Sequence, residues 1–194
     1  MEGCIDVEIK RGTEFRVEKT GSSNIIRHLE INQYGSVLNI DMEDGHFNLK
    51  TKPRVIITMP ELKSLKLSGA SECKLGNFAG ESFNFECNGA SRATMSVDYS
   101  EIQVNMSGAG NLEISGSSKN LNSYLSGASN INAQKLVMET AIIDISGASE
   151  IILGTSKSIQ GEASGASKVE YLGNPIIKLS TSGVSKIKPY VAGN

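Results

Sequence analysis

Two carboxylates, Asp144 and Glu162, occupy equivalent places in a repeated sequence. Each lies three residues before the glycine of a Ser-Gly-Ala-Ser tetrapeptide. If copies of the repeat stack, the two acids become neighbours one layer apart. That is close to the short separation of a retaining glycosidase pair, in which one carboxyl protonates the leaving group and the other attacks the sugar. The equivalent residues of the other copies are Lys66, Glu86, Asn105, Tyr124 and Ser180. A polysaccharide-cleaving enzyme of the pectinase type would use such acids, often with a basic residue or Ca²⁺. Only five Asp are present, a thin supply for a Ca²⁺-dependent lyase, and the Gly-Gly-x-Gly-x-Asp signature of Ca²⁺-binding coils is missing. The competing reading is a solvated face, where charged residues are expected and each cross-strand pair contributes roughly 0.2–1 kcal/mol. That reading carries more weight, and Asp144 and Glu162 stand as an alternative catalytic pair only.

The remaining candidates point the same way. Ser71, Ser91, Ser129, Ser149, Ser167 and Ser185 each follow a repeat glycine by two residues, with Gly110 in that place in one copy. A nucleophilic serine needs a base, but the only histidines are His28 and His46, and no Gly-x-Ser-x-Gly elbow occurs. A stacked ladder of hydroxyls bonded to neighbouring backbone is expected instead. Neither histidine has metal-ligand spacing to an acid or Cys. Cys4, Cys73 and Cys87 form no Cys-x-x-Cys pair and no disulfide framework. Cys73 and Cys87 fall at inward positions, where a thiol acts as a small hydrophobe, and Cys4 reads as an ordinary strand residue. Tyr99, Tyr124 and Tyr171 could stack on sugar rings, although Tyr171 sits at an inward position. No metal site and no cofactor follow from these residues.

The repeat dictates the elements that position these side chains. Its glycines are Gly69, Gly89, Gly108, Gly127, Gly147, Gly165 and Gly183, separated by 20, 19, 19, 20, 18 and 18 residues. Two and four residues before each glycine, and four and six after it, the residues are mostly apolar. Leu65, Leu67, Cys73 and Leu75 are the first such set, and polar residues alternate with them. Period-two alternation is the mark of strands with one buried face, so each tetrapeptide is a corner between strands where glycine supplies backbone freedom. A third, looser apolar group follows: Phe78, Ile102, Leu121, Leu136 with Met138, and Ile159. A unit of about 19 residues cannot bury its own face, so the units must stack. The expected fold is all-β, a right-handed parallel β-helix with rungs roughly 4.8 Å apart. On stacking, Glu150 and Lys168, three residues after their glycines, should form a cross-rung ion pair.

Residues 1–60 lack the corner motif but still read as strands, at Ile5–Ile9, Phe15–Lys19, His28–Ile31, Ser36–Met42 and Val55–Met59. Breaks fall at Gly12, Gly21, Gly35 and Asp44-Gly45. This block is expected to cap the column or to begin it as degenerate rungs, because an open end exposes a pairing edge. Residues 61–190 form the repeat, and the two parts should make one continuous unit. At the far end, Pro189 cannot donate a ladder hydrogen bond.

The repeated Ser-Gly-Ala-Ser at this spacing resembles the head GIN domain family of putative auto-transporter adhesins. The similarity includes the lead-in Val55-Ile56-Ile57-Thr58-Met59-Pro60-Glu61-Leu62 before Leu65-Lys66-Leu67-Ser68-Gly69-Ala70-Ser71, and it extends over nearly the whole chain. The resemblance implies a β-helical, exported protein of Bacteroidetes-like bacteria, located at the cell surface, at the outer membrane or in the periplasm. It implies no catalytic residues.

Charge and composition narrow the function further. A net charge of −2, from 19 basic and 21 acidic residues, argues against nucleic acid as a partner. The first residues lack the charged start and apolar core of a signal peptide, so an exported protein would carry its leader outside this sequence. The expected function is a non-enzymatic adhesin or binding module for a glycan or a surface protein. The alternatives are a pectinase-type enzyme and a structural module that forms homo-oligomers through a flat face or an end.

Overall fold

A computed structural model describes residues 5–43 and 52–191. Cys4, His46 and the Asp44-Gly45 break lie outside the described residues. The chain forms a parallel β-solenoid. Its strands are β1 (Asp6–Arg11), β2 (Arg16–Thr20), β3 (Leu29–Tyr34), β4 (Val37–Met42), β5 (Arg54–Met59), β6 (Ser64–Gly69), β7 (Glu72–Gly89), β8 (Arg92–Gly108), β9 (Asn111–Leu125) and β10 (Asn130–Ile145). They continue with β11 (Glu150–Thr155), β12 (Ser158–Ala163), β13 (Lys168–Leu172), β14 (Ile176–Thr181) and β15 (Lys186–Pro189), and one short helix, α1 (Ser23–Ile26), precedes β3. From β7 to β10 each rung is a nearly unbroken strand of 15 to 18 residues running from corner to corner. The corners are sharp, and the strands between them are longer than the sequence suggests.

Stacking at the corners explains the glycines. All seven have positive φ, from +71° to +115°. A Cβ added to Gly89, Gly108, Gly127, Gly147, Gly165 or Gly183 would meet the carbonyl oxygen of the corner glycine below at 2.5–2.8 Å. That oxygen accepts a ladder bond from the residue after the next glycine, as in Ala128 N–H to Gly108 O at 2.7 Å. Side-chain hydroxyls complete the corner. Ser91 donates to Gly69 O at 3.3 Å, Ser129 to Gly108 O at 3.4 Å, and Ser149 to Gly127 O at 3.4 Å. Ser71, Ser91, Ser129, Ser149 and Ser167 are buried, so the serine ladder is structural. Gly110 interrupts it because a Cβ there would lie 2.7 Å from Cys87 Sγ.

The apolar positions before and after each glycine form one continuous core. The third apolar group is corrected by the structure. It falls into three registers, not one, with Met138 aligned on Ser118 and Tyr99. Phe83, Ile102, Leu121, Ala141, Ile159 and Ile177 stand in register, each six residues before the following glycine. Phe78 instead aligns with Val97, Gly116 and Leu136 at the intervening bend. Differences in rung length are absorbed at that bend. The two 20-residue intervals carry register shifts there, between Gly76 and Phe78 and between Asn132 and Lys135. In the first, Asn77 has a φ of +65°, as expected for an extra residue bulged out of a ladder.

The N-terminal block both begins and caps the column. β1 pairs in parallel beneath the first half of β7, Val7 with Cys73 and Ile9 with Leu75. β6 pairs beneath its second half, Leu65 with Phe85 and Leu67 with Cys87. The first rung is therefore assembled from two distant segments. β5 continues the sheet below β1 in parallel, and β2 then pairs antiparallel with β5. β2 is exposed throughout and carries Arg16, Glu18 and Lys19, charges that discourage further strand pairing. The β3–β4 hairpin contributes Leu29 and Ile40 to the same core and so covers its end. At the other end, among the described residues, no rung lies above β14 and β15, and Ile176, Ile177 and Val184 are exposed.

Candidate functional site

Residues between the inward positions point outward and form columns in register. The column three residues before each glycine runs Lys66, Glu86, Asn105, Tyr124, Asp144, Glu162, Ser180, each paired with its neighbour in the ladder. Asp144 and Glu162 are thus brought side by side on β10 and β12, as their spacing predicts. A parallel column on one flank reads Asn84, Gln103, Asn122, Ile142 and Gln160 in the same registers. On the other flank Ser107 Oγ donates to Asn88 Oδ1 at 2.7 Å.

Asp144 and Glu162 are exposed. Among the described residues neither has a hydrogen-bond or ion-pair partner. Tyr124 beside Asp144 is 47% exposed, and its hydroxyl also lacks a partner. Asn105, Tyr124, Asp144, Ser107, Ser126 and Ser146 line a shallow depression of about 300 Å³.

A second depression of about 340 Å³ lies on the face formed by the first halves of the rungs, around Arg92, Asn111, Glu113, Asn130 and Glu150. There the polar groups are engaged with each other. Asn130 Nδ2 donates to Asn111 Oδ1 at 3.3 Å, Lys135 pairs with Glu113 at 3.8 Å, and Lys168 donates to Glu150 at 2.6 Å. The last contact is the expected Glu150–Lys168 bridge. Lys168 also holds the largely buried Glu170 at 2.7 Å, and Lys188 holds it at 3.2 Å. Burial acts to raise the Glu170 pKa, but the two ammonium groups outweigh it and leave the carboxyl below its ordinary value. The same two carboxylates raise the Lys168 pKa.

Other candidates take structural places. Tyr99 is not available to a sugar. It is buried, stacks on Phe83 with ring centroids 5.2 Å apart, and donates from its hydroxyl to Leu62 O at 2.5 Å. Tyr171 packs partly buried against the core. His28 Nδ1 lies 2.7 Å from Glu43 Oε2 in an exposed contact. Cys73 and Cys87 are free and buried, and burial pushes the Cys73 thiol up to about 12. Among the described residues no three His, Cys, Asp or Glu side chains are placed to hold a metal ion, and no helix is long and apolar enough to cross a membrane.

Comparison with solved structures finds the same fold in Bacteroides and Parabacteroides proteins. A putative adhesin from Bacteroides fragilis is 19% identical and has a TM-score of 0.90, with 97% of this chain and 89% of that one covered. A putative lipid binding protein from Parabacteroides distasonis is 17% identical with a TM-score of 0.73, covering 98% and 90%. A putative adhesin from Parabacteroides merdae is 13% identical with a TM-score of 0.70, again covering 98% and 90%. At these identities the likeness extends to the fold alone. No curated protein matches the chain. The family model described as "Putative auto-transporter adhesin, head GIN domain" matches residues 1–175, and the chain belongs to that family.

Proposed function

We propose that this protein is an exported binding module, at the cell surface or in the periplasm, that attaches to a glycan or a surface protein without catalysis. The observation that carries this reading is the face containing Tyr124. It is a ladder of outward, mostly polar side chains at rung spacing, in which Asp144, Glu162 and the Tyr124 hydroxyl have no partner among the described residues, while Glu86 is paired with Lys66. Asp144 and Glu162 are adjacent enough to invite the pectinase-type reading, but they stand exposed on a face where the described residues raise no wall to hold a sugar away from bulk water. Binding to immobilised glycans and extracellular proteins, with released reducing ends measured in parallel, tests the reading. Saturable binding without release is expected. Cleavage that disappears in an Asp144→Ala/Glu162→Ala chain would replace the module by an enzyme. Export is checked by protease accessibility of the full-length protein on intact cells.

The C-terminal end supports a compatible second reading, homo-oligomerisation through that end. Among the described residues β14 and β15 each pair on one side only, and Ile176 and Val184 are largely exposed. Light scattering across a concentration series would show a dimer if this edge is used.

A further inference from the structure

We infer that the Tyr124 face is a binding site for an extended, neutral polysaccharide, with the Tyr124 ring as the stacking platform and the flanking amides and acids reading the hydroxyls. This rests on the binding-module reading above and gives it a place and a ligand class.

Four features of the face support the assignment. First, Tyr124 is a half-exposed aromatic ring whose register neighbours are Asn105 and Asp144, both short. Nothing of comparable size stands beside it in its column to cover the ring, so an apolar sugar face can lie against it. Second, the polar groups around the ring match a sugar's hydroxyls, which both donate and accept. Asn122, Gln103 and Gln160 present amides with both capacities, and Asp144 and Glu162 are acceptors only. A carboxylate without a protein partner is free to take two hydroxyl hydrogens from one ring.

Third, Asp144 and Glu162 are like charges directly opposite each other, an arrangement that destabilises a sheet. Elsewhere in the column the chain avoids it, since Glu86 is paired with Lys66 at 3.2 Å. Two carboxylates without an ion pair also disfavour a polyanion, with Lys178, opposite Gln160 at the end of the flanking column, the one cation near them among the described residues, so a neutral polymer is the class we infer. Fourth, the columns repeat at the rung spacing of roughly 4.8 Å, close to the length of one hexose along an extended chain. A polymer lying parallel to the column would meet Asn105, Tyr124, Asp144 and Glu162 with successive rings, whereas a single sugar would meet only the depression.

The test uses the whole chain and two soluble neutral polysaccharides, a mixed-linkage β-glucan and a galactomannan, beside polygalacturonate and chitosan oligomers, by titration calorimetry. The chain has no Trp, so tyrosine fluorescence gives a second readout. Binding of a neutral polymer is expected, weakened roughly tenfold or more in Tyr124→Ala, which is the loss of about 1.4 kcal/mol. Asp144→Asn should weaken it less, and Tyr34→Ala, at the exposed tip of the N-terminal hairpin, should leave it unchanged. Circular dichroism confirms that the variants fold. Binding only to polygalacturonate or only to chitosan overturns the inference. So does neutral-glycan binding that survives Tyr124→Ala, or glycan binding that is absent while a surface protein is bound; in those cases the module reading stands. Absence of binding to every glycan and protein tested overturns both.

Discussion

Three glycines separate the two reasons a solenoid corner excludes a side chain. Gly127 has a φ of +80°, and a Cβ on it would sit 2.6 Å from Gly108 O and 3.1 Å from Gly108 N. Gly35, in the β3–β4 turn, has a φ of +60° with nothing within 4 Å of the added carbon. Gly76, in β7, has neither positive φ nor a neighbour within 4 Å. Alanine at a left-handed position costs about 1–2 kcal/mol, partly offset by the reduced entropy of the unfolded chain, about 0.4–1 kcal/mol. Gly35→Ala should therefore lose about 1 kcal/mol or less, and Gly76→Ala should be neutral or slightly stabilising. At Gly127 the clashing atoms are backbone and cannot rotate away. The corner must lift off the rung below, stretching the Ala128–Gly108 bond of 2.7 Å and the Ser126–Met106 bond of 3.0 Å. Weakening both adds roughly 1–3 kcal/mol, so Gly127→Ala should lose about 3 kcal/mol. Urea unfolding followed by far-ultraviolet circular dichroism reads the three losses as midpoint shifts at constant slope. If Gly127→Ala loses no more than Gly35→Ala, close approach of the rungs does not select the corner glycine.

Three further outcomes follow from the core and its ion pairs. Ser123 is fully buried at an inward position, and its hydroxyl has no partner; Ser123→Ala should be neutral or stabilise by up to about 1 kcal/mol, whereas Ser129→Ala, which removes bonds to Gly108 O and Ser126 O, should destabilise by about 1 kcal/mol in the same urea assay. Because the Glu170 carboxyl is held below its ordinary value, its stabilisation is present above that range and is lost as pH falls through the lowered value. The gap in melting temperature between the native chain and Glu170→Gln, measured from pH 7 to pH 3, should shrink on acidification, and a constant gap would refute the pairing. In a Cys4→Ser chain, Cys73 and Cys87 should resist iodoacetamide at pH 8 and react once urea unfolds the column; rapid labelling of the folded chain would show that the core opens.

Legibility varied along the chain for physical reasons. Positions close to a corner are fixed by an atom-level constraint, the stacked glycines, so counting two or four residues back and four or six forward finds the core. Counting nine or more residues forward fails because it crosses the bend where rungs of 18 to 20 residues absorb their differences. Phe83, Ala141 and Ile177 were missed for this reason. Counting six residues back from the next glycine would have found them. The partnership of β1 with β7, 66 residues apart at Val7 and Cys73, leaves no periodic signal, because only one rung is assembled in that way. Tyr99 has the pattern of a surface aromatic, but its place opposite Gly80 on the rung below buries it; a Cβ on Gly80 would lie 2.9 Å from its ring.

The same constraint that makes the fold legible shapes what the protein can do. Successive rungs are joined at the corners by short turns, such as Ala70-Ser71, Ala90-Ser91 and Ala109-Gly110, and the intervals between corner glycines stay between 18 and 20 residues. No interval is long enough to raise a loop beside a face. A reacting sugar must be shielded from bulk water by walls, and walls come from insertions. A strand face without insertions offers contact area, hydrogen-bonding groups and regular spacing, which suffice for binding. Asp144 and Glu162 stand opposite each other on adjacent rungs and are exposed, without the enclosure that would favour glycoside chemistry, while the half-exposed Tyr124 ring can act as a stacking platform without one.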